Sequence, residues 1–250
     1  MNLLTILVFV LVIVLIYAVY KLMTKTTTTV SGFSDASQAV SVSGNKLGSS
    51  PNFGYSVWVY IDAWQNTSTQ TTQSGTDAVV YKKNILTRCN GKTSIFQMYL
   101  DNEQNNLMLK FPGTTGSTGT ATTTCAIQNV KLQKWFNVIM SVYGNTSDLY
   151  LDGKLVRTCI LPGPVTPAPS SGDSLQVGGG DITCSSSSAA GDLIGYISSV
   201  VYKNDYFTPE EAWSIYSAGY SGSGMFDFIH QYKLNFSLLK DNQSVGSVSI

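Results

Sequence analysis

Residues 53–61 (FGYSVWVYI) alternate with a period of two: Phe53, Tyr55, Val57, Val59 and Ile61 fall on one face, Trp58 and Tyr60 on the other. That is the period of a β-strand, and apolar groups on both faces predict a central one. Residues 134–161 (KWFNVIMSVYGNTSDLYLDGKLVRTCIL) divide at two turn clusters, Gly144 to Ser147 and Asp152-Gly153, into three antiparallel strands. The Asp-Gly pair suits a two-residue type I′ hairpin, whose central positions both need positive φ. Weaker alternation predicts strands at 38–43, 78–86, 94–100, 106–111, 175–177 and 193–202. The Ser/Thr/Gln-rich stretches 66–76 and 112–124 read as loops, and 162–171, with prolines at 162, 164, 167 and 169, reads as a connector.

One helix start stands out after the strands. Thr208 can cap, Pro209 suits the first helical position, and Glu211 completes a capping box; Gly219 ends the helix. Trp213 and Tyr216, three apart, are expected to face the strands. Residues 221–250 contain two more strand-like runs, 232–239 and 245–250. They read either as a hairpin on the domain's own edge or as strands added to a neighbouring subunit.

The chain opens differently. Residues 3–20 (LLTILVFVLVIVLIYAVY) are uncharged, and at 1.5 Å per helical residue they span roughly 27 Å, near the thickness of a bilayer's hydrocarbon core. A transmembrane anchor over 1–25 is the expectation, with Leu3, Leu7, Val10 and Val14 in lipid and Tyr17, Tyr20 and Lys21 at the interface. The apolar run is longer than a signal peptide's and lacks a basic leader. Lys21 and Lys25 follow the run, so the positive-inside bias puts the domain on the cytosolic side. Residues 26–34 then form a short linker.

Charged residues make up 12% of the sequence, with Lys+Arg matching Asp+Glu at 15 each. No basic footprint for nucleic acid exists, and a charge-poor Ser/Thr/Gly surface suits a protein covered by neighbours.

The Trp-led strand, polar turn and LYLDGKL run of the 134–161 stretch resemble the central meander of laminin G and concanavalin A-like jelly-roll domains. Residues 53–61 are similar to that family's early inner strand, and 195–219 (GYISSVVYKNDYFTPEEAWSIYSAG) to its closing strand and short helix. The resemblance covers 35–220 and implies an all-β jelly-roll sandwich. With the anchor, the chain also resembles membrane-tethered minor capsid proteins of large icosahedral DNA viruses. That likeness implies a non-catalytic structural protein of the virion, with a lipid bilayer and shell proteins as partners. The alternative is a membrane-anchored lectin binding glycans on an envelope or cell surface.

A third reading, glycoside hydrolase, needs paired carboxylates. The family's Glu-x-Asp-x-x-Glu signature is absent, because none of Glu103, Glu210 and Glu211 has Asp two residues on. His230 is the lone histidine, and no phosphate loop occurs. No cofactor is expected. Family members hold calcium at a loop rim, for which Asp101, Asn145, Asp148 and Asp181 are candidates, though turns use Asp and Asn anyway. Trp64 and Tyr81 are candidate sugar platforms, with core placement the competing role. The four cysteines allow three pairings; the resemblance implies Cys159 with Cys184, leaving Cys89 with Cys125. Such bridges oppose a cytosolic placement, where thiols stay reduced.

Overall fold

The fold is described from a computed structural model over residues 11–17, 27–65, 83–112, 122–165, 167, 172–180, 184, 191–220, 235–240 and 243–249. Two antiparallel sheets face each other. In chain order the strands of the sandwich are β1 (Thr27–Ser31), β2 (Ser34–Asp35), β3 (Val40–Ser43), β4 (Phe53–Ala63), β5 (Asn84–Asn90), β6 (Thr93–Leu100), β7 (Leu107–Phe111), β8 (Thr123–Ile127), β9 (Phe136–Tyr143), β10 (Thr146–Leu151), β11 (Lys154–Ile160), β12 (Asp173–Val177) and β13 (Ile194–Lys203). The first sheet runs β1-β13-β4-β9-β10-β11, with β2 also on β13; the second runs β3-β12-β5-β6-β7-β8.

The alternation read in 53–61 has a physical basis in this layering. Phe53, Tyr55, Val57, Val59 and Ile61 are buried in one core with Phe136, Val138, Met140 and Val142 of β9 and Phe96, Met98 and Leu100 of β6. The 134–161 meander forms as expected, and Asp152 and Gly153 both adopt positive φ, 51° and 73°, as a type I′ turn requires. A Cβ at Gly153 would also approach the Trp213 backbone to 3.1 Å.

The helix α1 (Pro209–Ala218) lies on the outer face of the first sheet. Thr208 accepts from the Glu211 amide while the Glu211 carboxylate accepts from the Thr208 amide, closing the capping box. Its inward residues are Ala212 and Ile215, packed with Phe207 on Ile139 and Tyr150. Trp213, expected to face the strands, is exposed; Tyr216 does turn inward and stacks on Trp58 at 5.7 Å. Ala212 is small enough to bring the helix onto the sheet, which leaves Trp213 on its flank.

Three expectations are corrected. Residues 27–31, read as linker, form β1 and pair with β13, so the domain begins before residue 35; as an edge strand, β1 is half solvated and its Thr run carries little apolar signal. The strand sought at 78–86 lies at Asn84–Asn90, with 78–82 outside the described residues, and Arg88 inside it is buried. Residues 123–127, partly assigned to a loop, form β8 on β7.

The cysteine pairing also differs. Cys125 on β8 bonds Cys159 on β11, and Cys89 on β5 bonds Cys184. Strand order is the reason: β8 and β11 are the last strands of their respective sheets. Cys125–Cys159 therefore joins two sheet edges, and the Arg157 guanidinium donates to the Ala126 carbonyl at 2.9 Å beside it.

Residues 11–17 are helical, and all seven side chains there, Leu11 to Tyr17, are exposed. Among the described residues no helix is long and apolar enough to cross a membrane; the rest of the expected anchor, including Leu3, Leu7, Val10, Tyr20 and Lys21, lies outside the described residues. In the tail, β14 (Asn235–Lys240) pairs with β15 (Gln243–Ser249) in a two-stranded sheet of its own.

Candidate functional site

The outer face of the first sheet is where α1 stops short. Trp58 and Tyr60 on β4 point outward, opposite in phase to the core residues. Strand register then sets an aromatic row across the sheet: Tyr60 pairs with Tyr196 on β13, and Trp135 precedes Phe136, the partner of Val59. Phe33 extends the row from the break between β1 and β2 and stacks on Tyr196 at 5.1 Å and 25°. Tyr60 and Trp135 are 5.5 Å apart, and Tyr60 and Tyr196 6.2 Å.

The helix end supplies the wall. Gly219 takes φ 82° after α1 and turns the chain so that Tyr220 stacks flat on Trp135, 4.7 Å between centroids and 4° between planes. The Ser198 hydroxyl donates to the Tyr220 carbonyl at 3.1 Å and pins it to β13. Tyr220 also meets Trp58 edge to face at 6.3 Å, so the open cleft continues into the covered part of the sheet.

Together Phe33, Tyr60, Asp62, Trp135, Tyr196 and Tyr220 line a cleft of about 380 Å³. A smaller hollow of about 140 Å³, lined by Asp35, Ser37, Asp62, Ile194, Gly195 and Tyr196, shares Asp62 and Tyr196 with it. Gly195 is required beneath: at φ 155° its backbone lies so close to β4 that a Cβ would come within 1.9 Å of the Tyr60 carbonyl. Asp35 Oδ1 accepts from both the amide and the hydroxyl of Ser37, 2.8 Å each. Phe33, Tyr196 and Tyr220 are exposed at 66%, 41% and 45%, a concentration of aromatic surface that a soluble face does not need.

The described sequence candidates fall elsewhere. Trp64 is half buried against the core, with the Lys83 ammonium 4.0 Å over its ring, so one of its faces is already used. Burial pushes Lys83 below the usual lysine range, against the opposing pull of Asp101 and Asp192. Tyr81 lies outside the described residues. The described calcium candidates, Asp101, Asn145 and Asp148, do not converge. Asn145 sits in the β9–β10 turn at the end where β4 begins, since Phe53 pairs with Val142. Asp101 follows β6 at the opposite end, where the Val130 amide bonds Asn105 and the Gln133 amide bonds Ile61. The Asp148 carboxylate accepts from the Thr158 hydroxyl at 2.5 Å, and Asp181 lies outside the described residues. Among the described residues no three His, Cys, Asp or Glu side chains cluster to hold a metal.

The cleft was readable only in part. Trp58 and Tyr60 mark the outer face of β4, but Phe33 lay in an apparent linker, and Tyr196 and Tyr220 join only through the pairing of β13 and the turn at Gly219.

Comparison with known proteins fixes the fold's kin. No curated protein sequence matches the chain. Among solved structures it is similar to the receptor-binding domain of botulinum neurotoxin C/D mosaic serotype, at 13% identity and TM-score 0.54, over 77% of this chain and 44% of that one. It is likewise similar to the ligand-binding domain of botulinum neurotoxin serotype D, solved with N-acetylneuraminic acid, at 12% identity and TM-score 0.55, over 77% and 43%. The chain spans under half the length of these structures, and likeness at such identity speaks to fold alone. A family model, described as the concanavalin A-like lectin/glucanases superfamily, matches residues 34–212. The chain belongs to the concanavalin A-like lectin/glucanase superfamily.

Proposed function

We propose that this chain is a membrane-anchored glycan-binding protein that holds carbohydrate in the cleft lined by Phe33, Tyr60, Asp62, Trp135, Tyr196 and Tyr220. The observation that carries the reading is the cleft: aromatic side chains, three of them exposed, beside the Asp62 carboxylate in a volume of about 380 Å³. A sugar's C–H face packs on the electron-rich face of an aromatic ring, while its hydroxyls donate to a carboxylate. A concave site that combines aromatic surface with a few placed polar groups is a usual form of a small-ligand site. The superfamily includes lectins, and the similar serotype D domain was solved with a sugar acid bound.

The anchor part of the proposal rests on residues 3–20. Seven successive helical side chains, Leu11 to Tyr17, are apolar and exposed, which is the pattern of a helix meant for lipid. The two disulfides favour an oxidising side for the domain, against the bias from Lys21 and Lys25. An envelope or cell surface meets both conditions.

A second reading, a minor capsid component tying a membrane to a shell, draws on a different surface. The edge strand β11 leaves Leu155, Val156 and Ile160 exposed, 79% for Ile160, as an edge that binds protein would. Glycan-array binding by the full chain in detergent, lost in Trp135→Ala, supports the lectin reading. An array without signal, together with copurification in a protein shell, turns the assignment to the scaffold; hydrolysis of a polysaccharide would overturn both.

A further inference from the structure

We infer that the cleft takes uncharged sugar units and turns away sugars that carry a carboxylate or sulfate; the inference rests on the glycan-binding reading and specifies its ligand class. Asp62 lines both the aromatic cleft and the adjoining hollow, and Asp35 lines the hollow. No Lys or Arg lines either among the described residues. Lys134, next to Trp135 in sequence, is not among the lining residues. Ser37 holds Asp35 in place by two hydrogen bonds to one carboxylate oxygen, Oδ1.

The chemistry follows from that charge arrangement. Sugar hydroxyls are donors, and two carboxylates are acceptors already in position. An anionic sugar would lose water beside like charges with no cation among the described lining residues to pair it, which penalises the wrong ligand more than it rewards the right one. The fold is shared with a domain solved with N-acetylneuraminic acid; the charge arrangement of this cleft disfavours such an acid.

The test is an array of matched pairs, each a neutral oligosaccharide and the same oligosaccharide capped with sialic acid or a uronic acid, probed with the full chain in detergent. Neutral members should dominate, and the acid cap should weaken binding tenfold or more. Asp62→Asn and Asp35→Asn should each narrow that ratio, as should added salt, because screening weakens exposed charge repulsion. Equal or tighter binding of the capped members, or a ratio unmoved by both substitutions, overturns the inference while leaving the glycan-binding reading intact. No binding to either class removes the glycan-binding reading, and this inference with it.

Discussion

Trp135 and Tyr220 lie face to face, 4.7 Å apart and 4° from parallel, although 85 residues separate them in sequence. One opens the strand at the centre of the first sheet; the other follows the glycine that ends α1. The stack makes the helix end into a wall of the cleft. Tyr220→Ala is therefore expected to weaken glycan binding about tenfold, the effect of losing roughly 1.4 kcal/mol. Thermal melting should stay nearly unchanged, because Tyr220 is 45% exposed; calorimetric titration of wild type and variant reads both.

Arg88 and Asp173 anchor the second sheet under the first. Arg88 Nη2 lies 2.7 Å from Asp173 Oδ2 with both side chains buried, while Nη1 donates to Tyr55 on β4 and Nη2 to the Gly48 carbonyl. Burial pushes the Tyr55 phenol far above its usual range, so it stays protonated there. Arg88→Met leaves Asp173 as an uncompensated buried charge and should cost about 3–5 kcal/mol. Arg88→Met with Asp173→Leu should cost less than Arg88→Met alone, as measured by urea unfolding.

The helix that frames the cleft is tied down by a charge. Burial raises the Glu211 carboxyl, but the Lys203 ammonium at 2.6 Å and the Thr208 amide outweigh it and hold its pKa below the glutamate range. A depressed folded-state pKa means the contribution is complete above the unfolded value of about 4.3 and drains away as pH falls through the folded value. Glu211→Gln keeps a capping residue but not the charge. The variant should melt lower than wild type at neutral pH and converge with it below pH 4; a constant difference across that window would exclude the ion pair as the cause.

Closing the sandwich edge covalently should show in stability. Cys125 and Cys159 are 34 residues apart, and a loop of that length implies about 3.8 kcal/mol from the restricted unfolded chain. Cys125→Ala with Cys159→Ala should lower the urea midpoint accordingly. Intact-mass alkylation without reductant should find none of Cys89, Cys125, Cys159 and Cys184 reactive; four free thiols on protein taken from its native source would place the domain in a reducing compartment.

Much of the architecture was legible in short patterns, because a strand's period, an Asp-Gly turn and a capping box are each written within a few residues. The 53–61 alternation, the 134–161 meander and the Thr208–Glu211 cap all fold as those patterns require. What stayed hidden depends on distant partners. Arg88 lies past the strand expected at 78–86 and carries no signal until Asp173, 85 residues on, pairs with it. The Cys125–Cys159 pairing follows from which strands lie at the edges, not from spacing. Phe33 in a polar stretch and Tyr220 past a helix gain meaning only when the sheet brings Tyr60, Tyr196 and Trp135 beside them.

The most direct measurement is saturation-transfer NMR on the full chain in detergent, irradiating aromatic protons in the presence of the array's best neutral oligosaccharide. Transfer should reach the sugar's ring C–H protons in wild type and vanish in Trp135→Ala, with the variant's amide spectrum otherwise preserved. Undiminished transfer in Trp135→Ala, or none in wild type, would contradict the assignment of the aromatic cleft as the place where this protein meets its ligand.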